Sequence, residues 1–132
     1  LSQAAEAATK IYFYDTGLVM GDDGLRFENL VATALHKHVQ WQHDVQGQET
    51  ELHYIRTKDG AEVDFALSHK GQLSHLVECK LSDAKPHRAL LRFAREQPQA
   101  QAVQVVRHLP HSHALGEILV TRADDYLNGL AA

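Results

Sequence analysis

Inward-facing positions recur at helical spacing over residues 24–40, where Phe27, Leu30, Val31, Ala34, Leu35 and His38 follow the i, i+3, i+4, i+7 rule. A helix is predicted there, with Asp22 or Asp23 as its N-cap. Beyond residue 50 the period shortens to two. Residues 51–56 alternate around Leu52, Tyr54 and Ile55, residues 61–68 alternate through Glu62-Val-Asp-Phe-Ala-Leu67, and residues 73–81 carry the apolar pair Leu76-Val77. Three strands are predicted, joined by tight turns at Lys58-Asp-Gly60 and His69-Lys-Gly71. After Ser82-Asp-Ala-Lys-Pro86 a second helix runs from about residue 87 to 97 and stops at Pro98. The run over residues 102–106 reads as a buried fourth strand, residues 108–113 as a loop, 117–120 as a short last strand and 122–130 as a C-terminal helix. Upstream, Ile11-Tyr-Phe-Tyr14 is a short β-like run closed by the turn Asp15-Thr-Gly17. The order helix, three strands, helix, strand (α-β-β-β-α-β) predicts an α/β sandwich, a mixed central sheet with helices on both faces.

The chemistry concentrates at Glu78-Cys79-Lys80. On a strand, Glu78 and Lys80 share one face and Cys79 takes the other, so opposite charges stand side by side where burial is expected. Asp64 is expected to leave the preceding strand on the face opposite Val63, Phe65 and Leu67, and the hairpin at Gly71 brings it beside Glu78. Two hard oxygen ligands and a nearby backbone carbonyl suit Mg²⁺ or Mn²⁺, with Lys80 acting on a water that attacks a phosphodiester. Glu28 projects between Val31 and Leu35 on the apolar side of the first helix. It is read as a partner of the same site, or else as an acid that favours the first turn of the helix dipole.

Asp64, then Glu78-Cys79-Lys80 after a hairpin, with an acid on a preceding helix, resembles the active-site pattern of the PD-(D/E)XK nucleases, the restriction-endonuclease-like superfamily. More narrowly, Lys10-Ile-Tyr-Phe-Tyr-Asp-Thr-Gly-Leu18, Gly24-Leu-Arg-Phe-Glu-Asn-Leu30, Gly60-Ala-Glu-Val-Asp-Phe65 and Val77-Glu-Cys-Lys80 resemble the C-terminal domain of unknown function of prokaryotic AAA-type ATPases. Val63 stands where the superfamily's name has proline, a position that varies widely. The resemblance implies a restriction-endonuclease-like sandwich with Glu28, Asp64, Glu78 and Lys80 at the nuclease positions. It also implies a metal held by Asp64, Glu78 and the carbonyl of Cys79, the ATPase module of a parent polypeptide as partner, and possible pairing of two copies to cut two strands.

The chain has 132 residues, 44% hydrophobic and 23% charged, which suits one globular domain. Residues 1–9 show no apolar face and read as a helical end, tail or linker of an excised fragment, leaving residues 10–132 as a single nuclease-like domain. A single cysteine excludes an internal disulfide, and with no transmembrane-length run and no secretory signal the expected location is cytoplasmic. The P-loop pattern Gly-x-x-x-x-Gly-Lys-[Ser/Thr] does not occur, so any ATP site lies outside these residues.

Net charge is −4, which argues against a surface that is wholly a DNA or RNA footprint but not against a local one. Arg88, Arg92 and Arg95 recur at i, i+4, i+7 on the second helix, as a phosphate-binding stripe or a solvated face. Leu90, Leu91 and Ala94 are expected to turn toward the sheet. His36 and His38 do not share a helical face, and His108, His111 and His113 lack the spacing of a strong zinc signal. Cys79 is expected to pack in the core and Trp41, after the helix, to anchor a core or interface. Two functions follow from these residues: a metal-dependent nuclease serving an AAA-type ATPase, or a non-catalytic protein-interaction or oligomerisation domain of that ATPase.

Overall fold

The computed structural model describes residues 5–9, 23–58 and 60–130. The element order is β1 (Ala5–Thr9), α1 (Asp23–Gln46), β2 (Thr50–Thr57), β3 (Glu62–His69), β4 (Gln72–Lys80), α2 (Arg88–Glu96), β5 (Gln101–Val106), β6 (His113–Leu115), β7 (Ile118–Arg122) and α3 (Ala123–Asn128). The predicted run at residues 11–14 and its turn at 15–17 lie outside the described residues. Among the described residues the strands join one seven-stranded sheet in the order β1-β2-β3-β4-β5-β7-β6. β1 to β4 are antiparallel, β5 runs parallel to both β4 and β7, and β6 returns antiparallel on β7. The mixed α/β architecture follows from a hairpin series that ends in the crossover β4-α2-β5.

The tightest link is the turn between β3 and β4. Lys70 and Gly71 both have positive φ, 52° and 78°, the two-residue geometry whose twist matches that of the strands it joins. Lys70 tolerates this less well than a glycine or asparagine would. The register it sets pairs His69 with Gln72 and Ser68 with Leu73, and a one-residue shift beyond them brings Phe65 opposite Val77.

Two apolar clusters sandwich the sheet. On one side Ala89, Leu90, Phe93 and Ala94 of α2 pack on Ile55, Val63, Ala66, Leu76, Ala102 and Val106. On the other, Phe27, Val31, Ala32, Leu35 and Val39 of α1 pack on Leu52, Phe65, Leu67, Val77, Val103 and Val105. Each of these larger side chains contributes about 1.5–3 kcal/mol of burial.

Several expectations are corrected. Strand alternation puts Val63 and Phe65 on one face, yet Val63 joins the α2 cluster and Phe65 the α1 cluster. The cause is a β-bulge. His53 pairs with Ala66 and Ile55 with Val63, so Tyr54 alone faces two residues, Asp64 and Phe65. A second irregularity at Ser74-His75 similarly lets Leu73 join Leu76 beneath α2. Helix α1 extends through Gln46, so Trp41 lies within it and stacks on His38 with ring centroids 6.2 Å apart. Its buried stripe is rotated from the one read in the pattern: Val39 and Ala32 are inside, while Leu30 is 47% exposed. Residues 5–9, read as a tail, pair with β2 as an edge strand, and His113 starts β6 instead of ending a loop.

These placements order the stability costs. Phe93→Ala is expected to cost about 3–5 kcal/mol in urea unfolding, because Phe93 is 1% exposed at the centre of the α2 contact. Leu30→Ala should cost no more than about 0.5 kcal/mol. Equal losses at the two positions would mean that Leu30 faces the core after all.

Candidate functional site

The bulge that splits Val63 from Phe65 falls at Asp64, and the β3–β4 pairing ends one residue short of it, at Phe65 and Val77. Beyond that point side chains take over from the ladder. The Asp64 N–H donates to Glu78 Oε1 at 3.0 Å, and the Cys79 N–H donates to Asp64 Oδ2 at 2.9 Å. Each carboxylate thus spends one oxygen on the neighbouring strand's backbone. The two acids are locked together across the open end of the hairpin.

Glu78 is 6% exposed and Asp64 is half-buried. Burial, and next the negative charge of Glu78, push the Asp64 carboxyl up to about 6, against the weaker opposing effects of the Cys79 N–H, Lys80 and His87. Glu78 is also raised, first by burial, while the Asp64 N–H and Lys80 pull the other way. Lys80 Nζ lies 3.5 Å from Glu78 Oε2, on a side chain 30% exposed, so its ammonium reaches solvent while it offsets a buried acid.

The Cys79 thiol points away from this pair. It packs with Leu81, Tyr126 and Leu130 against the α1 cluster, and burial pushes its pKa well up, so it is core and not a nucleophile. Glu28 is half-buried on the sheet-facing side of α1, close enough that its charge raises both Glu78 and Cys79. It does not complete a cluster with them: among the described residues no three His, Cys, Asp or Glu side chains are gathered as a metal site. Its influence on the pair is that of a nearby negative charge.

His87 was not anticipated from the sequence. It is the N-cap residue of α2, and its Nε2 lies 3.0 Å from the Glu62 carbonyl and 3.7 Å from Glu78 Oε2. A carbonyl only accepts, so Nε2 carries the proton. What holds His87 there is Gln104, fully buried on β5 opposite Glu78. Its Oε1 accepts the His87 N–H at 2.9 Å, and its Nε2 donates to the Asp83 and Lys85 carbonyls at 3.1 and 2.8 Å. The signal was available: Gln104 is the one polar residue in Ala102-Val-Gln-Val-Val106, and a buried amide needs partners.

Helix α2 starts beside the acids through His87, with Arg88 and Arg95 exposed on its outer side. Arg92 is half-buried, 3.5 Å from Glu96 Oε1, with its guanidinium 5.9 Å from the Phe93 ring centroid. Arg88 follows His87 at the start of α2, whereas Arg95 stands at its far end, lining a pocket with Pro98, Ala100 and Glu117 at the opposite end of the sheet from the acids.

With this geometry in place, comparison by family gives a direct answer: residues 23–123 match the domain of unknown function DUF4143. The chain belongs to the DUF4143 family. No match was found among curated proteins or among solved structures. The matched segment of this DUF4143 domain contains every candidate residue, from Glu28 through Arg95, and runs from the start of α1 to the start of α3.

The donor chemistry suits a hard divalent cation. Two carboxylates with raised pKa, at the end of adjoining strands, match the one or two that Mg²⁺ takes from a protein while keeping its waters. An extended residue directs its N–H and C=O to the same side, so the Cys79 carbonyl faces the gap beside Asp64.

Stability should respond to pH accordingly. Between the unfolded carboxylate value near 3.8 and about 6, the folded state holds a proton on Asp64 that the unfolded chain has lost, so stability falls as pH rises through this window. In chelator, Asp64→Asn should be more stable than wild type at pH 7, with the advantage shrinking to nothing below pH ~4. Urea titrations across this range check it; an advantage independent of pH would contradict the repulsion.

Proposed function

We propose that this domain is a metal-dependent, nuclease-like module that hydrolyses the phosphodiester backbone of nucleic acid as the C-terminal part of an AAA-type ATPase. The observation that carries the reading is the locked pair of raised carboxylates, Asp64 and Glu78, with the Lys80 ammonium 3.5 Å from Glu78. The succession α1-β2-β3-β4-α2-β5, with the acids at the open end of a hairpin, supports a restriction-endonuclease-like sandwich.

Asp64 and Glu78 would hold Mg²⁺ or Mn²⁺, with the Cys79 carbonyl beside them. When bound, the ion supplies Lewis-acid polarisation of the phosphate and acidifies a water. The chain's own residues do the rest. Lys80, oriented by Glu78, offers hydrogen bonds to the attacking water and to charge developing on phosphate oxygens. Glu28 adds negative potential from α1, which favours cation occupancy. Arg88, Arg92 and Arg95 run along α2 from the site and offer contacts to flanking phosphates, positioning the strand without reading its sequence.

A non-catalytic role in protein interaction or oligomerisation of the ATPase is the second reading. It is favoured by the net charge of −4 and by apolar side chains left outside on α1, Leu25, Leu30 and Val45, exposed at 41, 47 and 66%. The two readings differ in what a divalent ion does.

Calorimetric titration with Mn²⁺ should show one site, weakened by at least about tenfold in Asp64→Asn. Equal affinity in the two proteins removes the metal from Asp64. Lys80→Met should keep Mn²⁺ binding and the fold but abolish cleavage in a screen over single- and double-stranded DNA and RNA. Cleavage that survives this change rules out the role given to Lys80.

The arginine stripe is tested by salt. Replacing Arg88, Arg92 and Arg95 with glutamine should reduce the slope of log affinity against log salt by about 0.7 to 0.9 per lost phosphate contact. An unchanged slope would leave the stripe facing water or the ATPase.

A further inference from the structure

A cavity of about 540 Å³ opens at the same end of the sheet as the acidic pair, on the α1 side. Three arginines reach it from three elements: Arg26 from the first turn of α1, Arg107 just after β5, and Arg122 as the last residue of β7. Phe27, Leu30 and Leu127 supply an apolar wall. We propose that this cavity binds a phosphorylated nucleoside, its phosphate on Arg26 and Arg107 and its base and sugar against Leu30 and Leu127.

Four observations converge on that ligand class. The volume lies within the ~300–1,000 Å³ typical of small-molecule sites. The position lies beyond the carboxyl ends of the parallel strands β5 and β7, where open α/β sheets take their ligands. Among the described residues the lining charge is positive, three arginines against Asp23 and Asp124, and Asp124 is engaged by Arg122 at 3.0 Å. The amino end of the 24-residue helix α1 opens on the same space and adds its positive dipole end.

The apolar wall argues against a bare anion site. Leu30 is 47% exposed on a helix whose other large apolar residues at this end are buried or lie outside the cavity, so it contributes little to the core. It forms a ledge beside the guanidinium groups, as a base or sugar edge requires. Phe27, 3% exposed, forms the floor.

The cavity also adjoins the acidic pair's strand. The Arg107 N–H donates to the Lys80 carbonyl at 3.0 Å. A nucleotide seated here lies near the end of β4 that carries Glu78 and Lys80. The site goes beyond the hydrolytic reading, since no part of it needs Asp64, Glu78 or a metal.

The test uses the whole chain in chelator at low salt, with two nucleotide probes, adenosine monophosphate by calorimetry and a short fluorescein-labelled single-stranded oligonucleotide by anisotropy, and with inorganic phosphate by calorimetry for comparison. Tighter binding of the oligonucleotide assigns the ligand to a nucleic-acid strand, and binding of the mononucleotide alone assigns it to a free nucleotide. Either supports the site when Arg26→Gln/Arg107→Gln loses roughly tenfold or more, the worth of about one charge-assisted hydrogen bond, while Lys37→Gln, an exposed cation of α1 outside the cavity lining, binds as wild type. Both arginines are exposed, so the double variant should keep its fold, checked by its melting curve. Absence of binding by either probe at millimolar concentration, or unchanged affinity in the double variant, overturns the proposal. Inorganic phosphate binding as tightly as the mononucleotide overturns its nucleoside part. Neither result bears on metal-dependent cleavage, which is read separately.

Discussion

Two backbone N–H groups at the open end of the β3–β4 hairpin are satisfied by carboxylates and not by the opposite strand. A backbone donor shielded from water must find an acceptor, and here the β3–β4 ladder that would supply it ends at Phe65 and Val77. Glu78 and Asp64 take its place reciprocally, each bonding the other strand. The arrangement closes the hairpin end and brings two negative charges together in a part-buried setting. Pairing and repulsion are inseparable, because the oxygens that satisfy the backbone belong to groups that repel as soon as both ionise.

Offsetting that repulsion organises the surroundings. Lys80 leans on Glu78 from two residues along the same strand, and His87 approaches from the start of α2. His87 is placed by Gln104, whose amide uses its oxygen and its nitrogen to tie the 83–87 loop to β5. A fully buried amide is tolerable only when so completely bonded. The loop, the helix start and the acids are thus fixed relative to one another. The start of α2 borders the acids because that short connection is held down.

The carboxyl ends of β4, β5 and β7 gather at one end of the sheet, with α2 on one face and α1 on the other. The acidic pair lies toward the α2 face, while the arginine cavity opens on the α1 side. Opposite potentials are separated by the sheet and not by distance along the chain: Arg107 is bonded directly to the Lys80 carbonyl.

Local physics settled much of this in the sequence. Spacing at 3.6 and 2.0 residues marked α1, the three hairpin strands, α2 and β5, and the turn at Lys70-Gly71 made β3 and β4 neighbours. The register of that turn alone would set Asp64 opposite Val77, and it is the extra residue at Ser74 that moves Glu78 there. The grouping of Asp64, Glu78 and Lys80 was legible to within one residue, since a short turn makes the strands neighbours, while their final alignment depends on the irregularity at Ser74. The rest required contacts between distant segments. Only pairing with β2 reveals the bulge that sends Val63 and Phe65 to opposite faces, because the extra residue exists only relative to a partner strand. The rotation of α1 that leaves Leu30 outside was decided by the surface it packs on, since helical period fixes which residues share a face but not which edge of a broad stripe meets the sheet. His87 meets Glu78 and Gln104 across nine and seventeen positions of chain, and Arg26, Arg107 and Arg122 line one cavity from three elements, convergences that sequence spacing does not encode and the parallel crossover creates.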